Sequence, residues 1–449
     1  VQRAYWYARS KKWFFNFKNS MRIYQTPTRE EWNQLFARPS TEPGELDRTV
    51  DEIFTAVRTQ GDSALRHYTQ LFDGVDLGEL SVSETEMAAA DALADELKNA
   101  IDVAYDNIEA FHLAQRTEPV HVETAPGIHC WQEKRPIERV GLYIPGGSAP
   151  LFSSVLMLAI PARIAGCSKV VLVTPPNGQG EIDPAILYTA RKCGVDEIYK
   201  VGGIQAIAGL VFGTESIPVV DKLFGPGNQY VTAAKQWATR FGLAIDMPAG
   251  PSELLVFADK SGQADFIASD LLSQAEHGPD SQVIFITTSS ALAQQVAQEI
   301  EQQMSVLPRA EIAARAMEHS RTIVVGEEKE ALQMINAYGP EHLIIISERE
   351  SYFLQGLQHA GSVFLGPWSP ESAGDYATGT NHTLPTNGYA RQFSGVNLDS
   401  FTKSITFQKL DEAGIRYIGP SVELMAAAEG LQAHKQAVTL RLSQLNASK

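Results

Sequence analysis

Cysteine is scarce in these 449 residues, with only Cys130, Cys167 and Cys193 present. Such an odd, sparse set excludes a disulfide framework and suits reduced thiols in a cytoplasmic protein. Long hydrophobic runs are also missing. Apolar stretches such as 155–160 and 170–173 fall far short of the roughly 20 residues of a membrane span. Positive charge is in deficit, 37 Lys and Arg against 53 Asp and Glu for a net charge of −16, which argues against a protein that grips nucleic-acid phosphates. No G-x-G-x-x-G fingerprint occurs, so a dinucleotide site cannot be argued from that motif. What is there is the composition of a globular protein, 44% hydrophobic and 20% charged, over a length that predicts at least two domains.

The first twenty residues depart from this composition. They hold five basic side chains (Arg3, Arg9, Lys11, Lys12, Lys18), seven aromatics and no acid. They lack the continuous apolar core and small-residue cleavage site of a secretory signal. Residues 1–20 read as an extension upstream of Met21, outside the fold.

Apolar residues three and four apart predict helices over 46–73 and 84–113. From Val140 onward, short β-branched runs alternate with helical patterns, and Gly and Pro sit at the joins. Strands are expected at 170–173, 197–201, 222–224, 254–257, 283–287, 322–325, 343–346 and 362–365. Alternation of this kind specifies parallel sheets covered by helices on both faces, with enough units for two α/β domains. After Ser400 the texture changes to one strand, 402–410, and one long helix, 420–445, started by Pro420. Such a tail is expected to be a docking or dimerisation arm.

Three sets of residues are candidates for chemistry. The Gly-rich joins at Tyr143–Ser148, Gly202-Gly203 and Gly225-Pro226-Gly227 each precede a helix, with Tyr143, Gln205 and Asn228 beside them. Small residues admit a ligand to the backbone, and free N–H groups at a helix start favour phosphate. Each is also an ordinary strand-helix turn. Gln274 and His277 in Ser273-Gln274-Ala275-Glu276-His277 are three apart and share a helix face, as metal ligands or as residues ending a helix. Glu341 and His342 precede a predicted strand, as an acid/base pair or as solvated surface. Cys167 and Cys193 are alternative nucleophiles, but they end helical patterns, where the helix dipole does not favour a thiolate.

The motifs VGLYIPGGSAPLFSSVLMLAIPARIAGC (140–167), VGGIQAIAGLVFGTESIP (201–218), FGPGNQYVTAAK (224–235), DMPAGPSE (246–253), SDLLSQAEHGPDSQ (269–282), YGPEHL (338–343) and SAGDYATGTNHTLPT (372–386) resemble those of histidinol dehydrogenase, in that order. The resemblance covers the chain from about Met21 onward. It implies a zinc- and NAD-dependent oxidation of L-histidinol through L-histidinal to L-histidine, using two NAD per turnover and one Zn2+ per subunit. The expected fold has two Rossmann-like parallel-sheet domains without the fingerprint, plus a small helical C-terminal dimerisation arm. Residues 21–142 would form an N-terminal helical segment and start the first α/β domain, with 143–252 as the second, NAD-side domain. The chain would return to the first domain over 253–335 and to the second over 336–398, and 399–449 would be the arm.

Carried over motif by motif, the resemblance implies Gln274, His277, Asp375 and His434 as zinc ligands. Ser252 and Glu429 would join Gln274, His277, His342, Asp375 and His434 in holding the substrate. Tyr143, Gln205 and Asn228 would contact NAD. Glu341 would activate water and His342 would accept protons. Glu429 and His434 would act across a homodimer. A zinc hydrolase using Glu341 or Glu276, a non-catalytic relative, and a related dehydrogenase acting on another amino alcohol or a sulfonate are the alternatives.

Overall fold

In the two larger sheets helices alternate with short strands, so the strands run parallel and both faces are covered. A computed structural model describes residues 21–39, 43–146, 150–195 and 197–447, and the expected extension at 1–20 lies outside them. The larger sheet has six parallel strands in the order Arg22–Gln25, Arg321–Val324, Gln282–Thr287, Glu253–Ala258, His342–Ile346 and Ser362–Leu365. Every residue of Glu253–Ala258 and His342–Ile346 is buried, because helices pack on both faces. The smaller sheet has five parallel strands in the order Glu197–Tyr199, Lys169–Val173, Arg139–Tyr143, Lys222–Phe224 and Ala244–Ile245. Its two faces carry separate apolar cores.

The domain course differs from the expected one. Strands His342–Ile346 and Ser362–Leu365 extend the larger sheet, so 336–398 does not return as a block to the second domain. Only its later part comes back: Asn381 Nδ2 donates to the Met157 carbonyl oxygen, and Val396 and Leu398 pack in the small-sheet core. The expected boundary at 143 cuts the strand Arg139–Tyr143, which lies in the middle of the smaller sheet. The N-terminal helices also belong there. Val50, Ile53, Phe54 and Val57 pack on one face of that sheet, and Ile101, Ala104 and Ile108 on the other. A run of β-branched residues states that a strand forms, not which sheet receives it, because the ladder uses backbone groups common to every strand.

The 46–73 helical stretch is two helices, Pro43–Gln60 and Asp62–Asp73, parted by Gly61 at φ 55°. A hairpin the alternating pattern did not announce, Val120–Ala125 and Ile128–Pro136, turns at Gly127 and pairs antiparallel with Thr402–Leu410. The expected single tail helix is also two, Glu412–Ala428 and Gln432–Ala447, packed on each other. Pro420 lies inside the first instead of starting it, and Gly430 at φ 75° makes the break.

Candidate active site

The larger sheet sets Glu341 and His342 at the amino ends of its strands, not at the carboxyl ends where open sheets usually bind ligands. His342 begins its strand opposite Leu254, so Glu341 and His342 meet the start of Glu253–Ala258. Both side chains are buried. The Glu341 carboxylate accepts the Glu253 N–H through Oε2 at 2.8 Å. His342 Nδ1 lies 3.3 Å from the Glu253 carbonyl oxygen, 3.5 Å from Glu341 Oε2 and 3.4 Å from Glu371 Oε1. Three acceptors around one nitrogen place the proton on Nδ1. Nε2 then faces Asp375 Oδ1 at 3.5 Å and makes no hydrogen bond.

Electrostatics follow from this crowding. Burial alone would lower the His342 imidazole, but Glu371, Glu341 and Asp375 together hold it well above its ordinary value. Burial lifts the Glu371 carboxyl well above its usual range despite the His342 charge. Asp375 goes the other way: burial would raise it, yet the His342 ring 3.5 Å away and the charges of His342, His382 and His277 bring it down.

Asp375 lies on the helix Glu371–Tyr376, four residues after Glu371, so the two carboxylates share a face. His342, Glu371 and Asp375 offer ligand atoms within 4.8 Å of one another. Gln274 lies in the helix Ala264–Ala275, which packs against the Asp375 helix. It is fully buried, and both of its amide atoms lack hydrogen-bond partners. Native interiors rarely leave such groups unpaired, so both amide atoms are available to a ligand. His277 follows the helix end, is exposed, and is near enough to lower Asp375. Ser252, half-buried, directly precedes Glu253. An amide oxygen, a carboxylate and imidazoles are donors that fit zinc. Glu429 and His434 do not join this group within the chain. Glu429 caps the end of the first arm helix, His434 lies in the second, and both are exposed.

The Gly-rich joins converge at the carboxyl edge of the smaller sheet on a cavity of about 880 Å3, lined by Tyr143, Gly146, Thr174, Pro175, Gly203, Asn228 and Tyr230 among others. Tyr143 Oη accepts the Gly203 N–H at 3.2 Å, and burial pushes its phenol up to about 12. Asn228 caps the helix Gln229–Ala238 by accepting from Tyr230 and Val231 N–H, so the bland reading of that residue is also true. Gln205 does not line the cavity, but it is buried with both amide atoms unpartnered. Gly225 is required: at φ 127° a Cβ would sit 2.1 Å from the Tyr143 carbonyl oxygen. The size and the backbone-lined mouth fit a dinucleotide.

Four polar residues of this region were not singled out from the sequence. Glu371 and Asp270 had a signal, each standing four residues before a candidate ligand on the same helix. Burial pushes the Asp270 carboxyl up to about 7. Glu253 and His382 had none. Glu253 sits in a run that reads as apolar strand, and His382 Nδ1 donates to the Asp375 carbonyl oxygen at 2.7 Å from an irregular segment.

Residues 36–442 match the family model described as histidinol dehydrogenase. The chain is 54% identical over 426 residues to a histidinol dehydrogenase of Bacteroides thetaiotaomicron, covering 95% of this chain and all of the relative. It is 54% identical over 431 residues to one from Escherichia coli O6:H1, covering 95% and 98%. The crystal structure of histidinol dehydrogenase from Elizabethkingia anophelis superposes with a TM-score of 0.93 at 54% identity, covering 95% of this chain and 99% of that one. On this match over nearly its whole length, the chain belongs to the histidinol dehydrogenase family and is an oxidoreductase.

Proposed function

We propose that this chain oxidises L-histidinol through L-histidinal to L-histidine, the activity its relatives are named for, with Glu341 and His342 moving the protons. The carrying observation is the bare Nε2 of His342, buried beside Glu341 and Asp375 with its other nitrogen surrounded by acceptors. In the first oxidation His342 Nε2 receives the hydroxyl proton as the carbinol hydrogen leaves as hydride. In the second, Glu341 takes a proton from a water whose oxygen adds to the aldehyde carbon, while His342 Nε2 returns its proton to the carbonyl oxygen to give the hydrate. His342 then receives a proton from the resulting hydrate as the second hydride leaves. Tyr143 and Asn228 at the cavity, with Gln205 beside Gly203, would hold NAD, which would supply the hydride acceptor for both oxidations. Gln274, His277, Asp375 and His434 would hold zinc, whose charge would help anchor the substrate and offset the carboxylate field on His342. Ser252 and Glu429 complete the grip on the substrate.

The arm supports a homodimer with shared sites. Its last helix, Gln432–Ala447, buries no residue on its own chain, and Leu424, Met425, Leu431 and Leu440 expose large apolar surface. Glu429 and His434 are then expected to complete the partner's site. Among the described residues no helix is long and apolar enough to cross a membrane, and a cytoplasmic location suits the sparse reduced thiols.

Separate assays with the alcohol and the aldehyde test the division of roles. His342→Asn should lower both oxidations by about a hundred- to ten-thousandfold. Glu341→Gln should impair the aldehyde step much more than the alcohol step. Equal losses in the two steps for Glu341→Gln would remove the water-activating role.

A further inference from the structure

Arg38 comes from the far N-terminal part of the chain, just beyond the short helix Trp32–Leu35, yet it ends against the amino end of the central strand Glu253–Ala258. Its Nε donates to Glu253 Oε1 at 2.5 Å and its Nη2 to Oε2 at 2.9 Å, a two-pronged fork. Nη2 also donates to the Tyr338 carbonyl oxygen at 3.0 Å, and the guanidinium lies over the Tyr338 ring, 4.1 Å from its centroid. Glu253 Oε1 accepts a further bond from the Asn387 N–H at 2.7 Å. The Glu253 side chain is only 3% exposed and that of Arg38 16%. Tyr338 opens the turn Tyr338-Gly339-Pro340-Glu341, with Gly339 in the left-handed region at φ 62°. One side chain thus ties together the two segments, at Glu253 and at Tyr338–His342, that bring Glu253, Glu341 and His342 to the candidate active site.

The backbone of Glu253 is what touches the acid/base pair. Its N–H is donated to the Glu341 carboxylate at 2.8 Å, and its carbonyl oxygen lies 3.3 Å from His342 Nδ1. Shape-matched apolar side chains could replace a buried ion pair without loss of stability. They would not fix the rotation of the Glu253 backbone, which a fork bound at both oxygens and stacked on an aromatic ring does.

We propose that Arg38 and Glu253 are positioning residues. Their ion pair holds the Glu253 backbone so that its N–H aims the Glu341 carboxylate and its carbonyl oxygen holds the His342 ring by Nδ1, which fixes where Nε2 points. This rests on the roles proposed above for Glu341 and His342.

The test uses the full-length, zinc-loaded chain and compares wild type with Arg38→Lys, Arg38→Ala, Glu253→Gln and His342→Asn. Turnover of histidinol and histidinal is measured alongside melting temperature. Arg38→Lys keeps the charge but not the fork. It should lower kcat by about a hundredfold with KM for histidinol little changed, and the aldehyde step should suffer at least as much as the alcohol step. Arg38→Ala should regain part of its turnover when guanidinium is added below denaturing concentration, and none with urea at the same concentration. If Arg38→Lys melts early, Glu253→Gln decides by the same split of kcat from KM. Wild-type kcat in Arg38→Lys beside a dead His342→Asn overturns this inference alone. So does a loss of kcat that only tracks the folded fraction. Unimpaired His342→Asn overturns the proposed roles of the pair and this inference with them.

Discussion

His342 shows how far a single residue's role depends on its surroundings. Exposed, it would titrate near pH 6.5 like any imidazole. Here burial and three carboxylates pull in opposite directions, and the carboxylates win. The cysteines show the opposite case: burial outweighs the Arg163 and Lys192 charges at Cys193 and meets no charge at Cys167. Cys193, at the end of the helix Pro184–Lys192, is pushed up to about 12, and Cys167, just beyond Gly166, to about 11. Neither holds a thiolate at neutral pH, so neither attacks an aldehyde. The Cys167→Ala, Cys193→Ala double variant should therefore keep most of its turnover. A loss of orders of magnitude in a chain that retains its circular dichroism would restore a thiohemiacetal route.

At the scale of elements, the ends of helices and strands are where the chain departs from generic packing. The helix Asp62–Asp73 ends on a carboxylate, with Gly74 as its left-handed cap. Asp73 thus faces the negative end of the helix dipole. It is also partly buried at the rim of the cavity, with Oδ2 unpartnered, and burial lifts its carboxyl to about 6. A folded-state value above the unfolded one favours the protonated, folded form. That stabilising term is fully present below about pH 4 and is lost as pH rises through about 6. Asp73→Asn should therefore match wild type near pH 4 and melt higher by roughly one or two degrees at pH 8, allowing for partial exposure. Thermal melts of ligand-free protein at the two pH values check it, and an equal shift at both would show that the carboxyl is not strained. Helix ends also explain why Glu371 was passed over. Its spacing from Asp375 is written in the chain, but a carboxylate four residues before another is commonly solvated surface. Only the packed helix shows it buried against His342.

For the whole molecule, the decisive feature is the arm. The two helices after Thr402–Leu410 pack on each other, and the second adds nothing to the core of its own chain. If His434 and Glu429 serve the partner's site, complementation follows from geometry. Inactive His434→Asn chains mixed with inactive His342→Asn chains, under conditions of subunit exchange, should regain a fraction of wild-type activity. Each heterodimer would hold one site with both lesions and one with neither. If His434 serves its own chain, every site keeps a lesion. A silent mixture with heterodimers confirmed by native mass spectrometry would assign His434 to its own subunit.

What the sequence determined by itself is local. Period-two and helical patterns placed the strands at 222–224, 362–365 and 402–410 with the bounds the structure has, because side-chain alternation and propensity act over a few residues. Resemblance, read motif by motif, picked out Glu341, His342 and Asp375, which the structure brings into one cluster. Only the tertiary structure decided that residues 342–365 complete the larger sheet, that Arg38 reaches Glu253 across more than two hundred residues, and that Glu371 is desolvated. Sheet membership runs through backbone hydrogen bonds that every residue offers alike. Burial and charge pairing depend on which segments pack together, and no pattern within a segment records its partner.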